Sequence, residues 1–248
     1  FINYFYISSS KIFTKKPKYK HLISMNWHSI GKFLEKKIDN AILIDFGSTT
    51  TDFVCIKNFK VINKYTDDFS RLNNHELLYS GFTRTPTFGL AHYINLNKKK
   101  LHIIPEFFSD TSDIYRILGE LDKKVDLDNT ANNGKKKVID SLKRFSRSFG
   151  FDYEKVYLKK LQIIARKLSN MQLDEIFKIT STLQSKYFLK SQPIVISGIG
   201  QDLIYNYFKK KKTDAIYLKN FLNNSNFNKE ASYHAPALSI ALLLQELK

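Results

Sequence analysis

The residue types with the most chemistry in this chain fall together in one short run, Asp45-Phe46-Gly47-Ser48-Thr49-Thr50-Thr51-Asp52. Gly47 admits backbone angles closed to other residues and lets a ligand approach the main chain. Ser48, Thr49, Thr50 and Thr51 supply hydroxyls, and successive N–H groups in a tight turn form a nest for an anion. Asp45 and Asp52 bracket the turn, where carboxylates could hold a divalent cation or orient a water. The plain alternative is a hairpin whose polar turn is only solvated. A second run, Ser197-Gly198-Ile199-Gly200, follows the apolar Ile194-Val195-Ile196. Such a strand-to-helix turn presents helix N-terminal N–H groups to an anion. Arg84, between Thr83 and Thr85, is suited to a phosphate or carboxylate, which a guanidinium binds bidentately. The plain alternative there is a surface arginine. Glu106, Asp113 and Arg116 are further candidates for a cleft, although Asp113 and Arg116, three apart on a helix, can also pair with each other.

These residues need elements to hold them. The continuous apolar run Ala41–Ile44 predicts a strand buried on both faces, with Phe53–Ile56 as its hairpin partner. Phe59–Tyr65 reads as a third strand and Thr66–Asn74 as a polar loop. Trp27, Ile30, Phe33 and Leu34 recur at helical spacing over Met25–Lys37, with Asn26 as the expected N-cap. Phe107, Phe108, Ile114, Ile117 and Leu118 predict a helical apolar face closed by Gly119. Further helices are expected over Val138–Phe149, Leu158–Leu168 and Asp174–Lys186, and a strand at Tyr217–Leu218. Pro236 is placed to start a C-terminal helix. Residues 1–24 read as a poor strand, FINYFYI, and a lysine-rich loop around Pro17. The opening at Phe1 is read as a sign of a truncated frame.

The 248 residues suffice for a substantial core, and the apolar and aromatic content excludes a disordered chain. The single cysteine, Cys55, permits neither a disulfide framework nor a cysteine metal site, and reads as a buried thiol in a reducing compartment. No apolar run reaches the ~20 residues of a membrane span. The net charge of +17 would ordinarily suggest nucleic acid. The excess is lysine in scattered runs (98–100, 135–137, 209–212), read as solvated loops, and Lys, Asn, Ile and Phe together are what AT-rich codons favour. The expectation is a cytoplasmic protein with a small phosphorylated substrate, without nucleic-acid or membrane partners.

The run DFGSTTTD resembles the second phosphate loop of the actin/hexokinase/Hsp70 superfamily, and within it the hydantoinase A/oxoprolinase family. Later stretches resemble that family's tetrahydromethanopterin-linked one-carbon branch. Tyr79-Ser80-Gly81 with Arg84-Thr85-Pro86 is similar to its Tyr-Thr-Gly-x-x-Arg-Thr-Pro. Glu106 to Gly119 is similar to its Glu-Phe-Phe-Ala-Thr-x-x-Asp-Val-Tyr-Arg-Leu-Leu-Gly. Asn26-Trp27, the pair Arg144 and Arg147 with Asp152, and the final Ala235-Pro236-Ala237 also match. Thr130-Ala131-Asn132-Asn133-Gly134 departs from the family's Thr-Ala-Asp-Gly, with an amide for the acid and one residue inserted. The family's first phosphate loop has no counterpart.

The resemblance implies an α/β fold, an actin-like (ribonuclease H-like) lobe with a mixed sheet, in which residues 1–40 are an edge of the first lobe and 41–248 the second. It implies phosphate binding by Gly47, Ser48, Thr49, Thr50, Arg84, Gly198 and Gly200, with the last two in an adenosine-like motif. Catalytic roles fall to Asp45, Glu106 and Asp113, and a Mg²⁺ ion to Asp45 and Asp52. The implied reaction is a transferase step of methylofuran biosynthesis, joining an aminomethyl-furanmethanol diphosphate to γ-glutamyl-tyramine with loss of pyrophosphate. The alternatives are an ATP-dependent hydantoinase/oxoprolinase-type amidohydrolase, or an inactive fragment of either. Either Glu106 or Asp113 would take the phenol proton.

Overall fold

A computed structural model describes residues 5–6, 13–14, 25–222 and 229–246. It is mixed α/β and divides into two compact units interleaved along the chain. The first comprises residues up to 47, 51–78 and 179 onward; the second comprises 48–50 and 79–178. This division is one of compactness within the chain and is separate from the lobe boundary at 40/41 expected above. The lysine-rich loop around Pro17 and most of the FINYFYI run lie outside the described residues. Phe5–Tyr6 (β1) and Phe13–Thr14 (β2) form a small antiparallel pair.

The first unit is built on a five-stranded mixed sheet. Its central strand is Asn40–Phe46 (β3), flanked by Thr51–Lys57 (β4) and Ile194–Ser197 (β8), with Leu77–Leu78 (β5) and Ala215–Tyr217 (β9) at the edges. β4 runs antiparallel to β3, in the register Ile42↔Cys55 and Asp45↔Asp52. β8 runs parallel to β3, pairing Asp45 with Ser197. Residues Ala41 to Phe46 are all buried, as the unbroken apolar run requires of a strand covered on both faces. One face is covered by Asn26–Leu34 (α1) and Ala235–Gln245 (α8), whose Trp27, Ile30, Leu34 and Leu243 join Leu43, Val54 and Val195 in one core. α1 lies close because Gly31 has no Cβ, which would stand 2.8 Å from a methyl of Val54. Cys55 is buried, and burial, with Glu76 nearby, pushes its thiol up to about 12, so it serves as an inert apolar residue.

Several sequence expectations are corrected here. Phe59–Tyr65 is not a strand. Asn58 and Phe59 take positive φ (53° and 58°), which turns the chain, and only the Ile56↔Val61 bridge forms. The amide of Asn63 takes the place of a strand, accepting from Cys55 N–H at 2.7 Å and donating to Phe53 O at 3.0 Å. Within the supposed loop Thr66–Asn74, Asp68–Asn73 (α2) is a helix capped by Asp67, whose carboxylate accepts from Ser70 N–H at 2.8 Å. Asn26 is the first residue of α1 rather than its cap, and no side chain caps that end.

The core of the second unit is formed by three helices and a hairpin. Thr111–Leu118 (α4), Val138–Arg147 (α5) and the start of Leu158–Tyr187 (α6) enclose Ile114, Ile117, Leu142, Phe145, Leu161 and Ile164. Tyr93–Leu96 (β6) and Lys99–His102 (β7) add Ile94 to that core. Their turn, Asn97-Lys98, has φ of 49° and 65°, as a two-residue hairpin of the right twist demands. The run at 98–100 is therefore a turn and strand, not a loop. The short helix Thr87–Leu90 (α3) precedes this hairpin. α4 begins later than expected, because Asp110 caps it by accepting from Asp113 N–H at 3.2 Å, and Phe107 and Phe108 stay outside it. The two helices expected over 158–186 are one. Nothing from Ser169 to Leu173 breaks the helix, and Gln172 and Leu173 are buried in mid-run.

Gln201–Lys210 (α7) follows β8 through Gly198 and Gly200, as expected. Gly198 has φ of 89°, and a Cβ there would stand 2.4 Å from Phe46 O. Gly198→Ala should therefore destabilise the fold by about 2–4 kcal/mol, read as a lower denaturation midpoint. A parental midpoint would show that this turn tolerates a side chain.

Candidate active site

In the first unit the two glycine turns lie side by side. Gly200 N–H donates to Phe46 O at 3.1 Å, and an added Cβ on Gly200 would meet the Phe46 ring at 2.2 Å. Gly47, which follows β3, thus neighbours Gly198 and Gly200, which follow β8. Both turns stand at the carboxyl ends of parallel strands, where open α/β sheets bind ligands.

Asp45 sits at that end, almost fully buried, and accepts a 2.7 Å hydrogen bond from the Ser197 hydroxyl. Burial pushes its carboxyl up to about 7, against the opposing pull of the Ser197 bond and with Asp52 adding repulsion. Asp52, opposite it in the ladder, is held by Arg71 at 2.9 Å. Arg71 is itself buried over the Trp27 ring, its guanidinium carbon 4.1 Å from the centroid. No group of three or more metal-ligating side chains occurs among the described residues. Mg²⁺ needs only one or two carboxylates when substrate phosphates complete its shell. Asp45 fits that donor set, since a cation would restore the ionisation that burial opposes. Asp52 already has a cationic partner and fits it less well.

In the second unit the hairpin tip is fixed by its carbonyl side. Ser48 O accepts from the N–H groups of both Thr83 (3.1 Å) and Arg84 (3.0 Å). Gly81 is required beneath it, because a Cβ there would stand 2.3 Å from Ser48 O. Among the described residues nothing accepts from the N–H of Ser48 or Thr49, leaving both donors for a ligand. Arg84 is anchored at this tip by its backbone, and its side chain is largely exposed, 3.9 Å from Asp128. Thr85 locks the segment by accepting from Gly81 N–H at 2.8 Å, and Gln172 donates to Gly81 O at 2.9 Å.

Glu106 is exposed, in the loop before α4. Asp113 is fully buried, with Arg144 Nε and Nη2 on its two oxygens at 2.9 and 2.6 Å and Arg116 Nη1 at 2.9 Å. Arg116 continues to Asp126 through two bonds of 2.6 and 2.7 Å. Two carboxylates and two guanidiniums thus alternate and balance. Asp110, which caps the same helix, is pushed up to about 6 by burial and then by Asp113. Asn132 reaches the cluster through its amide oxygen, which accepts from Arg144 Nη1 at 3.4 Å and from Gly134 N–H at 3.0 Å. Asn133 takes φ of 53° in the same turn.

Sequence reasoning missed Ser197 and Arg71. Ser197 had a signal, as the last residue before the Gly-x-Gly turn. Arg71 had none, because its partners Asp52 and Trp27 are remote in sequence.

Two outcomes test these environments. Asp45 has a folded value above its unfolded one, so its contribution to stability is complete below about pH 4 and is lost as pH rises through 7. Asp45→Asn should remove that loss, making the variant more stable than the parent at pH 8 by about 2–4 kcal/mol without Mg²⁺. Parallel stability–pH curves for the two would refute it. Asp113→Asn should instead cost about 3–5 kcal/mol, because two buried guanidiniums lose their shared anion. A denaturant midpoint close to the parent's would show that the cluster does not hold the second unit together.

Three kinds of comparison place the chain among known proteins. Residues 15–207 match the family model described as Hydantoinase/oxoprolinase. A (4-{4-[2-(γ-L-glutamylamino)ethyl]phenoxymethyl}furan-2-yl)methanamine synthase of Methanocaldococcus jannaschii is 32% identical over 93% of this chain and 67% of its own length. A synthase of the same name from Methanococcus vannielii is 31% identical over 86% of this chain and 95% of its own. Among solved structures, Bacillus thuringiensis ParM with ADP aligns over 84% of this chain at 13% identity and a TM-score of 0.39. ParM with AMPPNP aligns over 85% at 12% identity and 0.40. The chain spans about half the length of either ParM structure. By the family model and both synthases, this chain belongs to the hydantoinase/oxoprolinase family.

Proposed function

We propose that the protein is a transferase of methylofuran biosynthesis, forming an aryl ether from an aminomethyl-furanmethanol diphosphate and γ-glutamyl-tyramine. The observation that carries this reading is the name of its two relatives, synthases of a phenoxymethyl-furan methanamine. In that product a phenol oxygen is bonded to the methylene carbon of a furan. The phenol oxygen attacks that carbon, the bond from carbon to the diphosphate oxygen breaks, and pyrophosphate leaves with the electron pair. The phenol proton passes to a base.

The chain's own groups suit such a step. Each unit carries donors suited to a diphosphate: the turn at Gly198 and Gly200 in the first, and the free N–H groups of Ser48 and Thr49 with Arg84 in the second. Asp45 would hold Mg²⁺, which neutralises charge building on the leaving group. Glu106 is the base in this reading. It is exposed, whereas the Asp113 carboxylate is fully buried with its oxygens engaged by two guanidiniums.

The test is release of pyrophosphate from the furan diphosphate, dependent on γ-glutamyl-tyramine and Mg²⁺. Asp45→Asn should lower turnover by about 100-fold or more. Arg84→Lys should lower it by about tenfold, since an ammonium cannot reproduce the guanidinium fork. Thr49→Val should act more mildly, as it leaves the backbone donors in place. ADP formation from ATP with an amide substrate, and no pyrophosphate from the furan diphosphate, would assign the amidohydrolase reaction instead. Near-parental turnover in all three variants would reduce the loop to a plain hairpin.

A further inference from the structure

Within the second unit lies a cavity of about 410 Å³, bordered by Arg144 and Asn132 of the ion-pair cluster, to which no ligand has been given above. None of its lining residues belongs to the hairpin or to the Gly198 turn. Its volume falls in the range of small-molecule sites. One wall is α5, which presents Asp140, Lys143, Arg144 and Arg147 at helical spacing. Lys135 contributes from the preceding loop, so four cations face a single carboxylate. Among the described residues the ammonium groups of Lys135 and Lys143 have no ion-pair partner. Arg147 pairs with Asp152 where both are well exposed, a contact that water screens. Arg144 is different. Its guanidinium is buried and held by Asp113, and its Nη1 donates to Lys135 O at 3.1 Å, which fixes the loop against the helix. The lining therefore carries an excess of positive charge, with Arg144 held in place among it.

Two phenyl rings also line the cavity. Phe107 and Phe108 are 49% and 37% exposed, consecutive, and excluded from α4 by the Asp110 cap. Phenyl rings left partly in water beside unpaired ammonium groups have the composition of a site for a flat ring that carries negative charge. A bare inorganic anion would use only the basic wall, and a neutral ring only the phenyl wall.

We propose that this cavity binds a small aryl anion, with its phosphate or carboxylate head between Lys135, Lys143 and Arg147 and its ring against Phe107 and Phe108. The inference rests on the cavity alone and stands whether or not the ether-forming reaction is correct.

The experiment is a titration of the ¹⁵N-labelled protein, following the amide shifts of residues 106–108, 134–135 and 140–147. The probes are phenyl phosphate, phenylacetate, inorganic phosphate and phenol. Phenyl phosphate or phenylacetate should shift these amides together and saturably, and whichever binds more tightly names the head group. Inorganic phosphate and phenol should each bind at least about tenfold more weakly. Lys143→Glu with Lys135→Glu should weaken the aryl anion by about tenfold or more, at exposed positions where folding is not at stake. Phe107→Ala should weaken it several-fold while leaving inorganic phosphate unchanged. Unsaturable shifts, an unchanged affinity in the charge-reversed variant, or equal binding of inorganic phosphate would overturn the assignment. Loss of pyrophosphate release with these titrations intact would count against the proposed reaction and not against the cavity.

Discussion

The bond between the Ser197 hydroxyl and the Asp45 carboxyl is the constraint on which the first unit turns. It joins the ends of two parallel strands that are otherwise apolar and buried from Ala41 to Phe46 and from Ile194 to Ile196. A carboxyl group in such a place raises the free energy of the ionised form, and one hydroxyl only partly offsets the desolvation. What surrounds it follows from that cost. Phe46 closes against Gly200 immediately beyond, and Arg71 neutralises Asp52 on the neighbouring strand. A cation arriving with a phosphate would relieve the same cost, which ties the chemistry of the loop to its electrostatics.

The second unit solves a different problem by the same means. Asp113 and Arg116 lie on one helix and Arg144 on another, and their charges would be prohibitive singly. Alternated with Asp126, they hold α4, α5 and the loop before α5 in one arrangement. That arrangement also sets the segment from Gly81 to Thr85, because Thr111, at the start of α4, accepts from Thr85 N–H and donates to Gly81 O, both at 3.2 Å. Arg84 thus owes its position to backbone bonds and hydroxyls, and its own side chain is left to face solvent.

What was legible in the sequence was what is contiguous. The hairpin and the Gly-x-Gly turn each place strand, turn and polar residues within one short window, and both stand where expected. The pairing of Arg144 with Asp113 spans 31 positions, and no local pattern records it. Phe59–Tyr65 is not a strand because Asn58 and Phe59 turn the chain at positive φ and the Asn63 side chain bonds Cys55 N–H and Phe53 O, contacts equally absent from any local pattern. The helices expected over Leu158–Leu168 and Asp174–Lys186 are one because the residues between them serve long-range contacts: Ser169 and Gln172 are buried, and Gln172 donates to Ser80 and accepts from Tyr115.

The order of β3 and β8 along the chain has a consequence for how the protein is made. β3 gains its parallel neighbour only from residues about 152 positions later. A ribosome has by then delivered all of 79–178, so that segment can collapse on its own local contacts while one edge of β3 still lacks its partner. The nascent sheet must keep that apolar edge from foreign strands until Ile194–Ser197 emerges. The strand that completes Asp45's surroundings is therefore made well after the strand that carries it, and the carboxyl group reaches its buried environment only once Ile194–Ser197 has been added.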